Sequence, residues 1–478
     1  MIASDLAHDK SELTTMVYEL TKLGYGVYVF DFPSQGGSAG NIPFHMNSMN
    51  YLAEQFYCAM VSYSQLANMN VSNIHVIGYG SGARAVLQTA ALGYIRPASM
   101  TLIGTDVNLT EKIQYNVMNF NKDSEEDWIK GLNAAEPGVP IHLITSNLDN
   151  ISTNADNEVL KTLLTRSLGV QADANNTVTL SSVPFVVHYM QMNSVRIART
   201  AVFAIAQADG LTYQSSFLLF LRTPVLILMF ATLSAGCYFI GLQIREKRAA
   251  NYGISVKLPR HYIRNKFIMW FPTALVSVLL PIALYLLPIH FPYNDIFRLS
   301  IFVSYGIVMT FLYKFSTFGD NLGRVMFLKD GKAGLRDGLL FFALMLLALS
   351  AVSFSGMTFL YSIEAKWVWV VIFSVLCFCM FYVDEKERKF APNIKNTQRL
   401  LLLCNYLPLL AAPVVLLAFG LFNTAFMVLL MLAQLVFVLS FEFVLVPLGT
   451  STRVNALIKA VIFQMLVFAQ CTMFFNIL

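Results

Sequence analysis

The sequence predicts two chemistries in one chain: an α/β unit built on a parallel sheet over residues 1–216, and an all-α membrane unit of about eight helices over 217–478. Three observations carry that expectation. Short β-branched and aromatic runs alternate with helical patterns in the first part, and strands separated by helices make parallel sheets covered on both faces. Apolar runs of about 20 residues, the length of helix that crosses a bilayer, recur in the second part. Between Asn73 and Leu87 an apolar run, Ile74 to Ile77, meets a turn holding Gly78, Gly80 and Gly82, followed by an alanine-rich helical pattern. That is a sharp strand-to-helix turn.

Composition agrees with the division. The chain of 478 residues is 56% hydrophobic and 13% charged, with mean hydropathy +0.58, which excludes an ordinary soluble globule. The first part carries 11 Lys+Arg against 18 Asp+Glu and is acidic, so the net charge of +5 belongs to the second, with 22 against 10. Basic residues beside membrane spans are an orientation signal, and no nucleic-acid partner is implied. Of six cysteines only Cys58 lies in the first part, which supports neither a disulfide framework nor a zinc site.

In chain order, Met1 to Leu6 reads as the end of an apolar strand, Lys10 to Leu23 as an amphipathic helix, and Gly26 to Phe30 as a buried strand closed by Asp31. Tyr51 to Leu66 is a helix, and the strand and helix around Gly80 follow. Met100 to Gly104 is a strand leading to Asp106, and Val139 to Thr145 a strand leading to Asp149. A helix over Asn157 to Leu168, a strand over Thr177 to Leu180, a turn carrying His188 and a helix over Ser194 to Ala208 complete the unit.

The turn has the shape of a nucleophile elbow, Gly-x-Ser-x-Gly, with Gly78 and Gly82 as the flanking glycines. The central slot holds Gly80, and the serine, Ser81, stands one place later. With the turn Asp31-Phe-Pro-Ser-Gln-Gly-Gly-Ser38, the late-strand Asp149 and the histidine His188 before the last helix, residues 1 to about 208 resemble an α/β-hydrolase domain. The resemblance implies that His188 is the base and Asp149 its orienting carboxylate, with Asp106 as another possible acid. It implies that the backbone N–H groups of Leu6 and Ser81 face an oxyanion, and that a lid occupies Asn108 to Gly138. The strand that carries His-Gly in the family reads Ala3-Ser4-Asp5-Leu6 here.

Gly80 has no hydroxyl, and the triad mechanism needs one. Glycine also relaxes the strained elbow tip, so the fold survives the substitution. Ser81 is read as a helix N-cap hydroxyl or, in the alternative, as a displaced nucleophile.

Eight spans are expected, at Val225 to Leu242, Phe267 to Leu287, Ile296 to Tyr313, Leu339 to Leu360, Trp367 to Val383, Leu400 to Leu421, Phe426 to Leu445 and Leu457 to Phe474. The loops Gln243 to Lys266, Lys314 to Asp337 and Asp384 to Arg399 are rich in Lys and Arg, which places them in the cytoplasm and the acidic unit outside. A unit so placed needs an export signal, and Met1 to Asp9 contains none, which suggests a longer gene product. Asn405, Gln434, Glu442 and Gln464 are the polar residues noted inside spans, with no gathering of charge among them. Sequons at Asn70, Asn108, Asn150 and Asn175 include one beside Asp149, which favours a bacterial-type plasma membrane.

Three functional readings follow. The first is a catalytically impaired ligand- or partner-binding domain coupled to a membrane bundle. The second is a serine ester or amide hydrolase acting through Ser81, His188 and Asp149 on a lipid or envelope ester. The third is a transporter-like bundle with the domain as an accessory. No cofactor or metal is expected, and the partners are the bilayer and a lipid or acylated small molecule.

Overall fold

A computed structural model describes residues 1–5, 10–33, 38, 48–107, 139–149, 151–167, 178–216, 218–248, 264, 267–268, 271–286, 300–309, 335–354, 367–389, 401–402, 404–446, 448 and 450–470. The chain divides into two compact units, one built on Met1–Arg222 and the other beginning at Thr223.

In the first unit six strands form one sheet: β1 (Ile2–Ala3), β2 (Val29–Phe30), β3 (His75–Tyr79), β4 (Ser99–Ile103), β5 (Ile141–Ser146) and β6 (Val178–Val183). Their order is β2-β1-β3-β4-β5-β6, and every pair is parallel. β4 is buried at every position, as a central parallel strand covered on both faces must be. Alternation sends Ile77, Tyr79, Ile103 and Ile144 to one face, where they pack with Leu13, Met16 and Leu20 of the first helical segment and Ile197, Val202 and Ile205 of the last. Those helices are α1 (Thr14–Lys22) and α5 (Val195–Ala208). α2 (Ser48–Ala67) and α3 (Ser81–Ala91) pack on each other, tied by Thr89 Oγ1 donating to the Ala53 carbonyl at 3.0 Å. α4 (Asn154–Ser167) lies against β5 and β6.

The expected elements are present, with their ends moved. The first helix opens as a 3-10 turn, Lys10–Leu13. The strand expected from Gly26 pairs only over Val29–Phe30, because its neighbour β1 offers two residues. β6 runs on to Val183, since β5 supplies partners as far as Ser146. The expected lid lies outside the described residues.

The second unit is helical: α6 (Leu218–Arg248), α7 (Phe271–Leu286), α8 (Ser300–Met309), α9 (Leu335–Phe354), α10 (Trp367–Lys389), α11 (Ala411–Ala418), α12 (Phe422–Leu439), α13 (Glu442–Leu445) and α14 (Thr452–Gln470). Among the described residues two helices are long and apolar enough to cross a membrane, over Ile227–Ile244 and Thr424–Leu445. Phe271–Ala283, Ser300–Met309 and Cys404–Ala418 are apolar and shorter.

Three expectations are corrected here. Leu400 to Leu421 is not one helix: a 3-10 turn at Leu407–Leu410 precedes α11, where Pro408 has no N–H for a continuous ladder. α10 continues past Val383 through residues assigned to a loop, and Asp384, Glu385 and Glu387 are buried. Charge also gathers where none was expected. Lys459, fully buried on α14, is paired with Glu385, to which Asn455 Nδ2 donates at 3.4 Å. Asn405 Nδ2 donates to Asp384 and to Glu387, at 3.0 Å each, and the Tyr305 hydroxyl donates to the Asn405 carbonyl. These groups come from separate apolar stretches, so no local pattern announces their meeting.

Candidate functional site

The carboxyl ends of β1, β3, β4 and β5 place the chemistry. β3 ends at Tyr79, and Gly80 turns the chain into α3 with φ 51° and ψ −118°. Only a residue without a Cβ adopts that backbone freely, so the tip of the elbow suits the glycine found there. Gly82 permits the other close approach: a Cβ on it would lie 2.3 Å from the Ser4 carbonyl oxygen, so β1 runs hard against the first turn of α3.

The register of the sheet then decides what faces Gly80. Ala3 is opposite Gly78, and the chain runs on from that last pair to bring the Asp5 carboxyl beside Gly80. A Cβ built on Gly80 would stand 2.3 Å from Cγ of Asp5 and 2.4 Å from both its carboxylate oxygens. The space of an elbow side chain is therefore filled by the carboxylate of Asp5. Its Oδ1 accepts the Ser81 backbone N–H at 2.9 Å, and its Oδ2 lies 3.1 Å from His188 Nε2.

His188 opens a 3-10 turn after β6, and its Nδ1 lies 2.8 Å from Asp149 Oδ2. Asp149, past the end of β5, is fixed on every side. Its Oδ1 accepts the N–H groups of Ile151 and Ser152 at 2.8 Å each, and its Oδ2 also accepts Gln191 Nε2 at 2.6 Å. The side chains are 0% exposed at Asp149, 7% at His188 and 11% at Asp5, so the array runs from the interior outward. Burial by itself lowers the imidazole pKa; the carboxylates of Asp149 and Asp5 outweigh it and hold His188 well above the ordinary 6.5. Each ring nitrogen of His188 thus faces one carboxylate, an arrangement that favours the protonated ring.

Ser81 is placed differently from either expectation. The N-cap is Gly80 and no side chain caps the helix, so the N-cap reading of Ser81 is corrected: it is the first helical residue. Its hydroxyl donates to Asp106 Oδ2 at 3.2 Å. Asp106 lies beyond β4, its own carbonyl accepting Arg84 Nη1 at 3.0 Å. Burial raises the Asp106 pKa above the usual carboxylate value, with Arg84 opposing, Asp5 adding, and His188 and Ser81 opposing. Thus Asp149 and His188 lie within hydrogen-bond distance of each other, and the Ser81 hydroxyl points to Asp106. Leu6, the other expected oxyanion donor, lies outside the described residues, as does Asn150.

Asp5 is the residue that sequence reasoning missed. A charged side chain closing a buried strand was visible as a signal, but its role depends on β1 pairing with β3. Among the described residues, no group of three or more His, Cys, Asp or Glu side chains could hold a metal ion. A separate cavity lined by Met1, Leu20, Tyr25, His75, Ile77 and Ile205 lies at the other end of the sheet.

No known family and no curated protein matches this sequence. Among solved structures, the chain is similar to the esterase domain of a Rhodothermus marinus protein, at 16% identity over 44% of this chain and 85% of that one, TM-score 0.31. It is also similar to the Paleococcus ferrophilus monoacylglycerol lipase, at 13% identity over 43% of this chain and 93% of that one, TM-score 0.33. A third is MGS-MChE2, an alpha/beta hydrolase enzyme from the metagenome of sediments of the lagoon of Mar Chica, Morocco, at 13% identity, covering 44% of this chain and 90% of that one, TM-score 0.29.

Proposed function

We propose that the first unit is a hydrolase-like domain without hydrolytic chemistry, kept as a ligand- or partner-binding unit, outside the cell and tied to a multi-pass helical membrane unit. One observation carries the reading: the carboxylate of Asp5 fills the place of the elbow side chain. Acyl transfer at such a site needs a hydroxyl at the tip, a neutral imidazole nitrogen to take its proton, and an open N–H to hold the oxyanion. Gly80 supplies no hydroxyl. The Nε2 of His188 is engaged by Asp5, and an imidazolium is an acid, not a base. The Ser81 N–H is already taken. The alternative through Ser81 asks its hydroxyl to leave Asp106 and displace Asp5 from His188.

The test is a serine-directed fluorophosphonate probe on the full chain in membranes. The wild type is expected to remain unlabelled. Gly80→Ser alone should also stay unlabelled and lose stability by about 1–3 kcal/mol, because a side chain there is strained and meets Asp5. Gly80→Ser with Asp5→Ala should label, since that pair restores a hydroxyl and frees both His188 and the Ser81 N–H. Stoichiometric labelling of the wild type that disappears in Ser81→Ala would overturn the reading.

A further inference from the structure

We propose that the emptied nucleophile position is a carboxylate-binding site which the chain fills with Asp5 at rest, and that the unit's ligand is a soluble monocarboxylate that exchanges with Asp5. The proposal rests on the reading of the unit as a binding domain and names the chemistry bound.

The donors define the ligand. Ser81 N–H, at the start of the 11-residue helix α3, and His188 Nε2 hold the two oxygens of a single carboxylate, at 2.9 and 3.1 Å. A backbone donor at the positive end of a helix dipole and a charged imidazole donor are both strong partners for an anion. The spacing is demonstrated by the group that occupies it.

Charge narrows the class. One imidazole, His188, is set among three carboxyl groups, Asp149, Asp5 and the buried Asp106. Exchange of Asp5 for another monocarboxylate leaves that balance unchanged once Asp5 has turned to solvent. A phosphate or sulfate dianion adds a charge next to two fixed carboxylates and is rejected.

Geometry gives the direction of approach. Asp149 is sealed and Asp5 is the most exposed member of the array. The main chain before Asp5 is held by β1 pairing and by Gly82 against Ser4, so leaving the site requires the Asp5 side chain to rotate while the strand stays in place. A tethered carboxylate competes with a free one at its own effective concentration, which makes the wild type a weak receptor and its Asp5-less variant a strong one.

The experiment uses the full chain in nanodiscs with 15N-labelled histidine, titrated with formate and acetate against chloride, sulfate and methanol. In the wild type the His188 ring resonances should move saturably with the two carboxylates and not with the controls. Asp5→Ala should bind formate and acetate more tightly than the wild type by about tenfold or more. Asp5→Ala with His188→Gln, followed by thermal shift, should lose that binding. If Asp5→Ala takes up carboxylate while the wild type never responds, Asp5 is a fixed part of the fold and exchange is overturned, although the non-hydrolytic reading stands. If carboxylates do no more than chloride in either protein, the site itself is overturned. Should Asp5→Ala fail to fold, the wild-type titration still decides. Failure of the underlying reading looks different: ester turnover or fluorophosphonate labelling by the wild type.

Discussion

At the scale of single residues, the identity of position 80 and that of position 5 are one decision. A glycine at the elbow tip leaves a hole the size of a side chain, and a carboxylate from the next strand fills it. Burial alone would lower the pKa of an imidazole at that depth; Asp149 and Asp5 hold it well above 6.5. The linkage has a definite sign. A histidine whose folded pKa lies above its unfolded value of about 6.5 contributes stability that is complete below that value and is lost as pH rises through the folded pKa. Unfolding midpoints of the first unit are therefore expected to fall from neutral pH upward. Asp5→Asn removes one of the two carboxylates and should move that fall to lower pH. Identical pH profiles for the two proteins would separate Asp5 from the histidine's charge. Asp149→Ala should be the more damaging change, because two backbone N–H groups, Gln191 and His188 lose their acceptor in a fully buried place.

At the scale of elements, the second unit repeats the lesson with helices. α10 and α14 pack along each other and bring Glu385 against Lys459 with both side chains buried. Breaking a buried pair by removing one partner costs about 3–5 kcal/mol, whereas replacing both by apolar groups of similar size is often neutral. Lys459→Met alone and Glu385→Leu alone should each lower thermal stability strongly, and the double variant should recover most of it. Strict additivity would show that the two groups are paired independently with others. Gly241 shows how closely the helices approach: a Cβ there would overlap the Phe443 backbone carbonyl, so a larger residue must separate α6 from α13.

At the scale of the whole molecule, the polarity break predicts orientation. The proposed arrangement puts the acidic unit outside, opposite the loops rich in Lys and Arg. Cys58 reports on this directly, because it is a free thiol exposed on α2, while Cys237, Cys377 and Cys404 are buried. A membrane-impermeant maleimide should label Cys58 on intact cells, and Cys58→Ser should abolish that labelling. Labelling that requires permeabilisation would place the unit on the cytoplasmic side and withdraw an external ligand from consideration.

The sequence by itself determined the order of strands and helices in the first unit, the sharp turn at Gly78 to Gly82, and the change of composition near residue 216. These are written in periodicities of two and 3.6, in turn residues and in hydropathy, which are local and therefore readable along the chain. Only the tertiary structure decided that Asp5 fills the empty slot, that Ser81 turns to Asp106, and that Lys459 meets Glu385. Each of those contacts joins residues far apart in sequence, and each depends on which strand or helix lies beside which. Asp5 faces Gly80 because β1 pairs with β3 in one register, and a shift of one residue would turn that carboxylate to the other face of the sheet.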